Sequence, residues 1–108
     1  MKTAVSTYSL WGWCGQHRKS IEAAVDLVGT FGVDGIEFVA RSSDEGANPI
    51  AWAKKMRRRC DAMGLKVAGY CTGTDLMVPP AEQAKAIGEL KARVDIAAEL
   101  GATRMRHD

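Results

Sequence analysis

One phrase recurs three times in this chain. It reads Phe31-Gly32-Val33-Asp34-Gly35-Ile36-Glu37-Phe38, then Met63-Gly64-Leu65-Lys66-Val67-Ala68-Gly69-Tyr70, then Leu100-Gly101-Ala102-Thr103-Arg104-Met105-Arg106-His107. Each time a helical pattern closes on an apolar residue, a Gly follows, and a short strand-like segment begins. The Gly marks the helix stop, because only Gly enters the left-handed conformation there without a steric cost. Gly32, Gly64 and Gly101 lie 32 and 37 positions apart, the length of one βα unit.

The segments between the glycines carry helical periodicity. Ile21, Ala24, Val25, Val28 and Phe31 form one apolar face, with Ser20 as N-cap. A second helix opens on Asn48-Pro49, a capping residue followed by Pro at the first helical position. Its inward face is expected to be Trp52, Ala53, Met56, Cys60 and Met63. A third starts near Pro79-Pro80, with Ile87, Leu90, Val94, Ala97 and Ala98 inward and Glu82, Lys85, Glu89, Arg93 and Glu99 outward. Strands are expected over 4–9, 35–39, 66–71 and 103–107. No tight hairpin joins them, so pairing must be parallel through right-handed crossovers. Residues 11–15 read as a Gly- and Trp-rich loop, and 41–47 as a polar loop.

The fold class is therefore α/β, a parallel β-αβ-αβ-αβ run equal to half of a (β/α)₈ TIM barrel of ~250 residues. Residues 1–108 are expected to form one amino-terminal half-barrel of four strands and three helices, a fragment of a longer chain or a unit that pairs with itself through its edge strands as a homodimer. The chain is 46% hydrophobic and 26% charged, and its 15 Lys+Arg and 13 Asp+Glu leave a net charge of +2. That balance argues against nucleic acid as a partner. The basic run 54–59 reads as the solvated face of a helix. No stretch approaches the ~20 apolar residues of a membrane span. Three cysteines, Cys14, Cys60 and Cys71, without C-x-x-C spacing argue for reduced thiols and a cytoplasmic setting.

The first strand with its polar and aromatic tail (Val5-Ser6-Thr7-Tyr8-Ser9-Leu10), the Gly-x-Asp-Gly-Ile-Glu phrase, the Gly64-Leu65-Lys66-Val67-Ala68 pattern and Leu100-Gly101-Ala102 together resemble the xylose-isomerase-like TIM barrel superfamily. That superfamily holds sugar-phosphate isomerases and epimerases and endonuclease-IV-like enzymes. The resemblance implies a sugar or polyol substrate and a divalent metal (Mn, Mg, Co or Zn) in the full-length protein. The principal metal ligands come from later strands, so none is assigned here, and the isolated chain is expected to be inactive.

Sites in such barrels lie at the carboxyl ends of the strands. Glu37 is the leading candidate there. Its carboxylate in an apolar strand needs a partner if it faces inward, either substrate hydroxyls or a neighbouring Arg or Lys. Arg106 offers a planar fork for an anion, with Glu37 as counter-charge. His107 is a candidate metal ligand or substrate contact, or simply a terminal residue. Tyr8, Trp11 and Trp13 suit the apolar face of a sugar, a subunit interface, or a lid on the first helix. Cys71 has no neighbour that would activate it as a nucleophile. Rival functions are a non-catalytic half-barrel binding or assembly module, and an abasic-site nuclease fragment.

Overall fold

The computed structural model describes residues 1–108. Strands β1 (Ala4–Ser6), β2 (Gly35–Val39), β3 (Lys66–Thr72) and β4 (Met105–His107) form one sheet in the order β1-β2-β3-β4. All three pairings are parallel. The crossovers carry helices α1 (Trp11–His17), α2 (Ile21–Gly29), α3 (Ser42–Glu45), α4 (Pro49–Ala62) and α5 (Pro80–Leu100). The expected class and strand order are thus observed.

The local signals act as expected. Gly32, Gly64 and Gly101 have φ of 73°, 70° and 79°. Ser20 Oγ accepts from Ala23 N at 3.2 Å, and Asn48 Oδ1 from Ala51 N at 3.1 Å. Ile21, Ala24, Val25 and Val28 of α2 and Trp52, Ala53, Met56 and Cys60 of α4 join Ile36, Phe38 and Tyr70 in one buried apolar cluster. Phe38 meets Trp52 edge-on, with centroids 5.6 Å apart.

Four expectations are corrected. β1 stops at Ser6, because a 3₁₀ turn (Thr7–Leu10) follows in which Ser6 Oγ accepts from Tyr8 N. The Trp- and Gly-rich segment is not a loop but helix α1, ended by Arg18 in the left-handed conformation. The polar stretch 41–47 contains the helical turn α3, broken by Gly46. On α5 the buried residues are Ala86, Ile96, Ala97 and Leu100, while Ile87 and Val94 are about half exposed and Arg93 turns inward. Smaller differences sit at strand ends: β3 gains Thr72, β4 starts at Met105, and Phe31 is exposed.

Alternation along the strands places Val5, Ile36, Phe38 and Tyr70 on the face that the helices cover. Ser6, Glu37, Val39, Cys71 and Arg106 fall on the opposite face. The pairing of β2 with β3 shifts register between Ile36 and Glu37, so that Ile36 pairs Val67 but Glu37 pairs Gly69. Gly35 lies so near β3 that a Cβ there would sit 2.6 Å from the Lys66 carbonyl oxygen. Gly35→Ala must push the two strands apart and should cost about 1–3 kcal/mol, measured by urea unfolding; an unchanged midpoint would contradict this packing.

Burial raises the Cys60 thiol from its ordinary 9.0 to about 11. Between those values the folded state keeps a proton that the unfolded chain releases, so stability falls as pH rises. Two pH units correspond to about 2.7 kcal/mol. Urea midpoints from pH 8 to pH 11 should fall less steeply in Cys60→Ala than in the parent chain, apart from a constant offset from the lost side chain.

Candidate functional site

The carboxyl ends of the strands carry three separate groupings. The first is aromatic. Val39 N donates to Thr7 Oγ1 at 2.9 Å, tying the turn after β1 to the end of β2. This brings Tyr8 and Trp11 together, centroids 5.0 Å apart and tilted by 57°. Arg41 lies over the Trp11 ring at 4.5 Å. Its guanidinium also makes a two-pronged bond to Asp44, Nε to Oδ2 at 2.9 Å and Nη2 to Oδ1 at 2.8 Å. Trp13 is not part of this group. It packs partly on the core and meets His17 at 5.7 Å.

The second grouping lies on the uncovered face. Glu37 stands between Ser6 and Gly69 in register, half-buried, and forms no ion pair. Arg106 shares its face but is taken by Asp108, Nε to Oδ1 at 3.0 Å. The expected Glu37–Arg106 pair is absent: β3 lies between their strands, and Glu37 is level with Gly69 while Arg106 is level with Cys71. Arg106 holds the Asp108 carboxyl below its ordinary range. Cys71 Sγ donates to Asp108 Oδ2 at 3.4 Å, and burial pushes its thiol up. A raised thiol is a poor nucleophile.

His107 alternates to the other side of the sheet from Arg106. Its Nε2 accepts from Thr74 N at 3.0 Å, so that nitrogen is already engaged. No three His, Cys, Asp or Glu side chains gather as a metal cage. The residues of this chain therefore do not fit a divalent ion by themselves.

The third grouping has no counterpart in the sequence reading. Glu45, 4% exposed, accepts from Tyr70 Oη at 2.6 Å and from Arg93 Nη1. Arg93 Nη1 also bonds Tyr70 Oη at 3.2 Å. Burial, then the Glu45 carboxylate, pushes the Tyr70 phenol up. The triad sits on the helix-covered side, beside a cleft of about 440 Å³ lined by Glu45, Asp75, Glu89 and Arg93. A hollow of about 660 Å³ opens at the amino ends of the strands, beside Lys2, Lys66 and Arg104. Neither is lined by Glu37 or the aromatic group. That hollow lies on the amino-end face, which in such a barrel serves stability; the triad, toward the carboxyl ends, locks α3, β3 and α5 together. Removing Arg93 would leave a buried carboxylate without its cation. Arg93→Ala should cost about 3 kcal/mol, and the same change in a Glu45→Gln background should cost clearly less. Equal costs in a double-mutant cycle would refute the coupling.

Four parallel strands alternating with helices, with the polar groups at their carboxyl ends, define a (β/α)-barrel architecture in part. The chain belongs to the xylose isomerase-like TIM barrel family, whose model matches residues 25–108. No curated protein matches it. The match includes Glu37, Arg41, Arg106 and His107 but begins after Tyr8, Trp11 and Trp13. No helix is long and apolar enough to cross a membrane.

Proposed function

We propose that this chain forms the amino-terminal, substrate-facing part of a metal-dependent sugar or sugar-phosphate isomerase or epimerase. The observation that carries the reading is Glu37: a carboxylate without an ion pair on the open face of a xylose isomerase-like barrel sheet. Such a group can accept hydrogen bonds from substrate hydroxyls and hold them for reaction. Reaction in this class moves a proton next to a carbonyl. The metal belongs to the proposal through residues outside this chain.

The shape of the sheet supports a larger barrel. β1 and β4 each pair on one side only. Ile87 and Val94 on α5, with Leu76 and Met77 before it, expose apolar surface of the kind a neighbouring helix covers. Three unpaired, buried thiols fit a reducing, cytoplasmic compartment.

The gene tests the reading directly. Further βα units encoded in frame after Asp108, with inward Glu, Asp and His, support it; a natural stop codon there refutes it. In the resulting enzyme Glu37→Gln should lower kcat/KM about a hundredfold, while the 108-residue chain alone should show no turnover. Self-assembly of two half-barrels is the second reading, favoured by the same open edges. Sedimentation of the isolated chain at several concentrations separates the two, since a strictly monomeric species excludes edge pairing.

A further inference from the structure

The aromatic group at the ends of β1 and β2 contains more than stacking surface. Tyr8 is 65% exposed and offers its ring to solvent. Trp11 is held from one side by the Arg41 guanidinium, an attraction between cation and ring face. Arg41 is fixed in turn by the two-pronged bond to Asp44, whose side chain is only 10% exposed. Two of the three guanidinium nitrogens are thereby used. The third, Nη1, makes no hydrogen bond, and the Arg41 side chain is 31% exposed. The charge of Arg41 is matched at 2.8 Å by that of Asp44. The ledge therefore presents aromatic rings and oriented N–H donors, but no net charge.

We infer that Tyr8, Trp11 and the Arg41–Asp44 pair form a subsite for the uncharged part of a sugar or polyol, and that Asp44 makes this subsite discriminate against a phosphate or carboxylate. The inference rests on the sugar-directed reading above and narrows it. A sugar ring has an apolar face of C–H groups that lies against an aromatic ring, and its hydroxyl oxygens accept from Nη1. An anionic group at the same place would meet the Asp44 carboxylate, and Arg41 has no uncompensated charge with which to outweigh it. Were Asp44 absent, the same guanidinium would become a phosphate fork. Arg41 and Asp44 thus act as specificity-determining residues and Trp11 as the surface they position.

The test uses the 108-residue chain and two probes, D-fructose and D-fructose 6-phosphate, followed by NMR of the Tyr8 ring and the Trp11 indole. Trp11→Phe identifies the Trp11 signal among the three tryptophans. The parent chain should bind fructose more tightly than its phosphate. Asp44→Asn should shift the preference toward the phosphate by about tenfold, a change of about 1.4 kcal/mol. Arg41→Met should weaken fructose and lose that response to Asp44→Asn. Unchanged circular dichroism certifies the fold of each variant, and Asp44→Ser serves if Asp44→Asn is unstable. Tighter binding of the phosphate by the parent chain, or no shift on Asp44→Asn, overturns the charge selection and leaves the isomerase reading standing. Signals unmoved by either probe overturn the subsite itself. Failure of the isomerase reading is read separately, from the gene and the turnover assay.

Discussion

Everything in this chain hangs on one face of the sheet being sealed by α2, α4 and α5. Ile36, Phe38 and Tyr70 go under Trp52, Met56 and Cys60 in a single cluster with the buried face of α2. Fully burying a side chain of this kind is worth about 1.5–3 kcal/mol, so this layer is the main source of stability. Strand alternation then leaves no choice for the residues between. If Ile36 and Phe38 face the helices, Glu37 and Val39 face away from them. The polar character of the open face is thus a consequence of the apolar character of the covered one.

What was legible in the sequence follows from how local each signal is. A positive φ needs no partner outside its own turn, so Gly32, Gly64 and Gly101 could be read directly. The same holds for the Ser20 and Asn48 caps, which bond three residues ahead. The run of parallel strands followed from those stops. The face of α5 was not legible. Ile87, Val94 and Ala98 repeat at helical spacing as well as Ala86, Ala97 and Leu100 do. The face that packs buries Ile96, Ala97 and Leu100 and turns Arg93 inward to Glu45, 48 residues away. An arginine's inward turn toward a distant carboxylate leaves no trace in periodicity.

The candidate site divides in the same way. Glu37 was readable because a carboxylate in an apolar strand stands out against its neighbours. Arg106 was matched with Glu37 as its counter-charge, and its actual partner was not foreseen. Asp108, two residues on, reaches back to it, and Glu37 lies two strands away. The aromatic ledge was half readable. Tyr8 and Trp11 were selected, yet Trp13 was grouped with them because a loop was expected where a helix forms. On a helix, residues two apart point to different sides, so Trp11 and Trp13 must part. Arg41 and Asp44, at i and i+3 on a turn that was read as a loop, could not be attached to a tryptophan 30 positions earlier.

The two ends of the sheet also differ in how many side chains help to hold them. At the amino ends Asp34 N and Gly35 N donate to the Thr3 backbone oxygen, and the Asp34 side chain accepts from Thr3 N through Oδ2 at 2.8 Å. At the carboxyl ends backbone bonds, Ala40 N to Cys71 O and Asp108 N to Thr72 O, are joined by more side-chain ties: Thr7 to Val39, His107 to Thr74, and Asp108 to Cys71. A backbone tie fixes the strand and is indifferent to most substitutions. A side-chain tie depends on the residue present, so exchanging that residue alters the surface it shapes while leaving the strand in place. In this chain the Asp108–Cys71 tie lies on the face of Glu37, and the Thr7–Val39 tie lies next to the ledge of Tyr8 and Trp11. That arrangement is what a scaffold needs if its binding surface is to change independently of its fold.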